Sequence, residues 1–175
     1  MNTKKIKTDK GITMIALVMV VILLFILSAV TVYEANNVIS AARVESTMTN
    51  LLLIQAKVRI INEKVVFEKD DEKKQELYVG TKLSESPNTI SKIKEQQTEN
   101  NKTIIENIDD EEVSSKYYVL SQKELNDFGL STINASEGYI VNYETEEVIY
   151  VKGVQDQNEK ILHTLTELLN INKEE

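Results

Sequence analysis

Few residues of this chain have the types or spacing that catalysis needs. There is one His, His163, and no Cys. No G-x-S-x-G elbow and no serine–histidine–acid pattern is present. The five Gly stand singly, so no loop is built to cradle a phosphate. With 28 Asp and Glu, close carboxylate pairs arise by chance, and none is nominated as a general acid. Asp109, Asp110, Glu111 and Glu112 are adjacent, without the alternating ligands and turn glycine of a calcium loop. A solitary His with no second His or Cys reads as structural. No catalytic residue, metal or cofactor is expected, and the chain does not read as an enzyme.

The chemistry the residues do point to is done to the chain, at one peptide bond. Lys4, Lys5, Lys7 and Lys10 precede an uncharged apolar run from Ile12 to Val32, and Gly11 stands between them. Gly disfavours helix, so the Gly11–Ile12 bond is left extended and accessible where the run meets water. As a helix the run is roughly 31 Å long, close to a hydrocarbon core of about 30 Å. Cationic residues on one flank hold that flank in the cytoplasm. The expectation is a single-pass cell-membrane protein, anchored in lipid, with a cytoplasmic N-terminus and everything after Tyr33 extracytoplasmic.

Three fates of this segment compete. A cleaved secretory signal needs a shorter apolar core and a small-x-small site, and the nearest candidate, Leu27-Ser28-Ala29, opens on a large residue. An uncut signal anchor fits the length. The third reading rests on Lys10-Gly11-Ile12-Thr13-Met14-Ile15-Ala16-Leu17-Val18. This stretch resembles the class III leader of type IV pilins and type II secretion pseudopilins, a short basic leader ending in Gly before an apolar helix. The resemblance implies that a prepilin peptidase cuts between Gly11 and Ile12 and methylates the new amine of Ile12. The fifth mature residue of that family is usually Glu, thought to pair with a neighbour's N-terminal amine during assembly; here it is Ala16. Some minor pseudopilins lack that Glu, as do many pilin-like proteins of Firmicutes with a Gly-Ile-Ser/Thr start, which this chain looks most like. With a leader of this kind, the sequons Asn101-Lys102-Thr103 and Asn134-Ala135-Ser136 carry no expectation.

The elements that would carry such a segment follow from periodicity. Between Glu34 and Lys69 there is neither Gly nor Pro. Val44, Leu51, Val58 and Val65 recur every seventh residue, with Thr47, Ile54 and Ile61 three positions later, which makes one stripe on a helix. Unbroken from Ile12 to Phe67, such a helix would be about 84 Å long. A separate amphipathic helix, or a short coiled coil, has the same pattern. Residues 70–115 are rich in charge and amides and read as an exposed, polar excursion between the long helix and the sheet, where the resemblance implies a variable region, with Ile90, Ile93, Ile104, Ile105 and Ile108 as anchors for short helices.

From Lys116 the signals sharpen. Tyr117-Tyr118-Val119-Leu120 reads as a strand. Ser121 and Glu124 form a capping box for a short helix ending at Gly129. Runs around Tyr139–Tyr143 and Val148–Val151 flank the loop Glu144-Thr145-Glu146-Glu147 as a hairpin, with Tyr139, Val141 and Tyr143 on one face and Ile140 on the other. Lys152-Gly153 closes the second strand. That hairpin looks like the terminal hairpin of Firmicutes pilin-like domains. Gln157 to Asn172 reads as an amphipathic helix with Ile161, Leu162, Leu165, Leu168 and Leu169 on its apolar face.

The expected fold is therefore α+β and pilin-like: a long N-terminal helix, transmembrane then amphipathic, packed on a small antiparallel sheet. Its segments are a leader at 1–11, a transmembrane helix at 12–33, its amphipathic continuation at 34–69, the excursion at 70–115, a β-rich domain at 116–155 and a C-terminal helix at 156–175. The formal charge is −8 despite the basic leader. An acidic exterior repels phosphate backbones, so no direct nucleic-acid partner is expected. The resemblance implies a structural subunit, major or minor, of a type IV pilus or secretion pseudopilus. Its partners would be prepilin peptidase, other pilin-like subunits, an inner-membrane assembly platform and membrane lipid. The other reading is an anchored extracytoplasmic binding or sensing domain that does not polymerise.

Overall fold

A computed structural model of the chain describes residues 14–171, and of these the side chains other than 14–16, 29–37 and 137. The chain divides into two compact units, Met1–Ile39 and Ser40–Glu175. The first helix, α1, runs Met14–Phe67. In the first unit the side chains from Leu17 to Leu27 are all apolar and all exposed. Among the described residues, no helix is long and apolar enough to cross a membrane. Residues 12 and 13 of the apolar run, and the leader, fall outside that description, as do the side chains of 14–16 and 29–32.

The second unit is α+β. After α1 come α2 (Asp71–Leu77), β1 (Thr81–Lys82), α3 (Pro87–Glu99), α4 (Glu111–Ser114), β2 (Tyr117–Leu120), α5 (Gln122–Asp127), β3 (Tyr139–Asn142), β4 (Glu147–Gln155), β5 (Ile161–Thr164) and α6 (Leu165–Ile171). The strands form one five-stranded sheet in chain order, each pair antiparallel.

Period two sorts the sheet residues onto two faces. On one face Tyr139, Val141 and Tyr143 join Leu51, Ile54 and Val58 of α1, with Val44 and Ile61 partly buried beside them. The seven-residue stripe is therefore the inner face of the helix, and its burial closes the core on that side of the sheet. Ile140 lies on the opposite face with Ile149 and Val151, as the alternation requires.

That opposite face corrects the expectation of an exposed excursion. Leu83, Ile93, Ile105 and Ile108 are buried against it, and β1 lengthens the sheet. The isoleucines are too scattered in sequence for any helical or strand period, but they converge because a second sheet face needs cover. The acids at 109–112 have local roles: Asp110 caps α4 by accepting from the Glu112 N–H at 2.9 Å, and Asp109 pairs with Lys94.

The C-terminal segment needs a second correction. Residues 161–164 are strand, not helix, and α6 begins only at Leu165. Thr164 and Glu167 explain the start. The Thr164 N–H donates to Glu167 Oε2 at 3.3 Å and the Glu167 N–H to Thr164 Oγ1 at 3.4 Å, a capping arrangement. The β3–β4 hairpin is thus internal, its four-residue loop is Tyr143–Glu146, and β4 continues past Gly153 to Gln155. The helix after Ser121 forms as its capping box predicts, and Gly129 takes φ 76° behind it.

Candidate assembly surface

The helical residues of the second unit have two unlike faces. Leu51, Ile54 and Val58 are fully buried. About half a turn away, Leu53 is 44% exposed, Ile60 48% and Phe67 83%, with exposed Ala56 between the first two and exposed Glu63 and Lys64 between the last two. Leu52 and Val66 flank this row and are exposed as well. A helix that only roofed a sheet would carry polar residues there. Large apolar side chains at every seventh position, interleaved with Ala56, Glu63 and Lys64, are instead a surface that a second helix can approach, with charges toward its C-terminal end. Its signal was in the sequence: Leu53, Ile60 and Phe67 repeat every seventh residue, offset by two from Leu51, Val58 and Val65.

The inner face is held in register by polar contacts to the β3–β4 loop. Glu146 there has φ 57°, a left-handed conformation that a non-glycine residue adopts at a cost. Three side chains of α1 hold it. Arg59 Nε donates to Glu146 Oε2, Asn62 Nδ2 to Glu146 Oε1 and Gln55 Nε2 to the Glu146 carbonyl, each at 3.1 Å. Asn142 Oδ1 tightens the same loop, accepting from the Glu144 N–H at 3.0 Å. This clasp fixes how α1 is rotated on the sheet, and so which residues are turned outward.

A second anchor is Tyr143, which packs between Tyr78 and Tyr118 with ring centres 5.1 and 5.3 Å away. Its hydroxyl donates to the Val79 carbonyl at 2.7 Å and accepts from the Val79 N–H at 3.2 Å. Burial pushes this phenol well above its ordinary range.

Of the sequence-predicted positions, Lys10, Gly11 and Ile12 lie outside the described residues. Ala16 lies in the first turn of α1, and its side chain is outside the description. His163 is buried in β5, not beside a helix face. Among the described residues, no group of three or more His, Asp or Glu is placed to hold a metal. No family model, curated protein or solved structure matches this chain.

Proposed function

We propose that the chain is a pilin-like structural subunit, cut after Gly11 by a prepilin peptidase and assembled through its N-terminal helix into a type IV pilus or a secretion pseudopilus. The observation that carries the reading is the outward row of Leu53, Ile60 and Phe67, which the sheet leaves uncovered. The exposed apolar stretch from Leu17 to Leu27 supports it, as does the basic leader ending in Gly11. An apolar helix leaves lipid without loss only where other helices offer equal packing, so a bundle of subunit helices is the natural destination. The mechanism is assembly, with no reaction catalysed. The small sheet domain would then sit outside the cytoplasmic membrane, on a cell-surface or periplasm-facing filament.

The test is N-terminal sequencing of the full chain after co-expression with a prepilin peptidase. The expected product starts at Ile12, and a Gly11→Val chain accumulates intact. Retention of Met1–Gly11 in both would overturn the reading. One residue favours a second reading, an anchored binding or sensing domain that never polymerises: Ala16 lacks the carboxylate that would meet a neighbour's N-terminal amine.

A further inference from the structure

β4 and β5 pair at Gln155 with Ile161 and at Val154 with Leu162, and next at Ile149 with Thr164. Between the last two pairs β4 inserts Tyr150, Val151, Lys152 and Gly153, whereas β5 inserts only His163. The imidazole fills this bulge. His163 is 1% exposed, and its Nδ1 lies 2.9 Å from the Tyr150 carbonyl oxygen. A carbonyl only accepts, so Nδ1 carries a proton, and the neutral form of the ring has a bare Nε2. Nε2 is enclosed and, among the described residues, has no hydrogen-bond partner. Gly153 is pressed against the ring: a Cβ there would sit 2.8 Å from His163 Cε1.

A second proton would go to Nε2. It would put a charge in a site shut off from water. The charged groups facing the ring do not relieve this. Lys102, from the chain after α3, disfavours an imidazolium; Glu167, from α6, favours one; their 2.7 Å ion pair leaves burial to decide. From β4 the Tyr150 and Val151 carbonyls favour the charged ring, and burial outweighs them, so the imidazole is held below its ordinary range. The same two charged residues stitch the outer edge of β5. Lys102 Nζ donates to the Ile161 carbonyl at 2.9 Å, and the His163 N–H donates to Glu167 Oε2 at 2.7 Å.

We propose that His163 is an acid-sensitive peg, which locks the β4 bulge while neutral and, once protonated in mild acid, frees β5 and α6 from β4 while β1–β4 stay folded. Release of α6 withdraws Leu168 and Ile171 from a groove that they share with Val44 and Met48 of α1. An apolar patch on the helix is then uncovered by acid alone.

The sign follows from linkage. A freed imidazole takes its proton near its ordinary value of 6.5, and the buried one only at lower pH. The open form therefore binds more protons below that value, and the closed form is fully stable above it. The opening constant should rise up to about tenfold per pH unit as pH falls below about 6.5.

The experiment is amide hydrogen exchange on the full chain in detergent between pH 7.5 and 5, corrected for intrinsic rates, with His163→Asn beside it. An Asn amide can still donate to Tyr150. Glu147 is half-buried on β4 and its carboxyl is pushed up by desolvation, which acts in the opposite sense, but it is common to both proteins. The expected result is a selective, roughly tenfold or greater loss of protection over Ile161–Ile171 in the parent and none in the variant. Unchanged protection in the parent, or equal loss in both, overturns the proposal. Should the variant fail to fold, the parent decides alone. This is the chain's one His, so its ring signal titrates unambiguously. A midpoint below 6.5 that coincides with opening supports the peg, and titration at 6.5 without opening overturns it.

Discussion

At the scale of single residues, two glycines behind similar φ values do different work. Gly129 ends α5 at φ 76° with open space where a Cβ would go, whereas Gly153 has φ 69° and would set its Cβ 2.5 Å from Ile161 Cγ2. Gly129→Ala should cost only the left-handed penalty, about 1–2 kcal/mol. Gly153→Ala adds a clash with the β5 peg and should cost about 2–5 kcal/mol in all. Denaturant unfolding of both variants checks the order; equal losses would mean the bulge gives way easily. Glu146 illustrates a different economy. Its carboxylate meets an Arg59 side chain that is 68% exposed, so that ion pair adds little by itself. The worth of Glu146 lies in the whole clasp, in which Asn62 and Gln55 hold a strained loop against α1.

At the scale of elements, α1 after Ser40 has one face for folding and another free of it. Leu51 and Leu53 are both leucines on that helix, two positions apart. Leu51→Ala should lose about 2–5 kcal/mol, because a fully buried leucine leaves a cavity. Leu53→Ala should stay within about 0.5 kcal/mol, since Leu53 is 44% exposed and belongs to neither core cluster. Thermal or urea melts of the two variants measure the difference directly. A large loss at Leu53 would mean that the outer row is already covered within the chain. The strands argue in the same way: Tyr139 and Val141 belong to the α1 side and Ile140 to the α3 side, so a one-residue slip would exchange the two cores.

At the scale of the whole molecule, the assembly reading predicts a split between stability and incorporation. Ile60→Asp should leave the unfolding free energy within about 0.5 kcal/mol, because Ile60 is exposed. It should reduce recovery of the chain in the sheared surface or pseudopilus fraction at least tenfold, because a carboxylate would be buried between helices. Recovery equal to the parent's would remove the outer row from the assembly contact. The acidic surface bears on the same scale. On the assembly reading, the acidic excess of the chain, a formal −8 with the basic leader included, opposes contact between heads, so cohesion would come from the helix.

The sequence by itself determined what periodicity within one element can carry. Val44, Leu51, Val58 and Val65 announced the inner helix face, Tyr139 and Val141 against Ile140 announced the two-sided strand, and Ser121 with Glu124 announced α5. Each is written within a few turns or residues of chain, where spacing alone sets direction. Only tertiary structure decided the rest. Ile161-Leu162-His163-Thr164 continues a helical apolar pattern into Leu165 and Leu168, yet it is a strand because β4 offers it a ladder and a bulge that takes the imidazole. Leu83, Ile93, Ile105 and Ile108 have no common period, and they become a core because the far sheet face must be covered. Long-range pairing is chosen by which surfaces remain to be buried, and that choice leaves no local spacing to read.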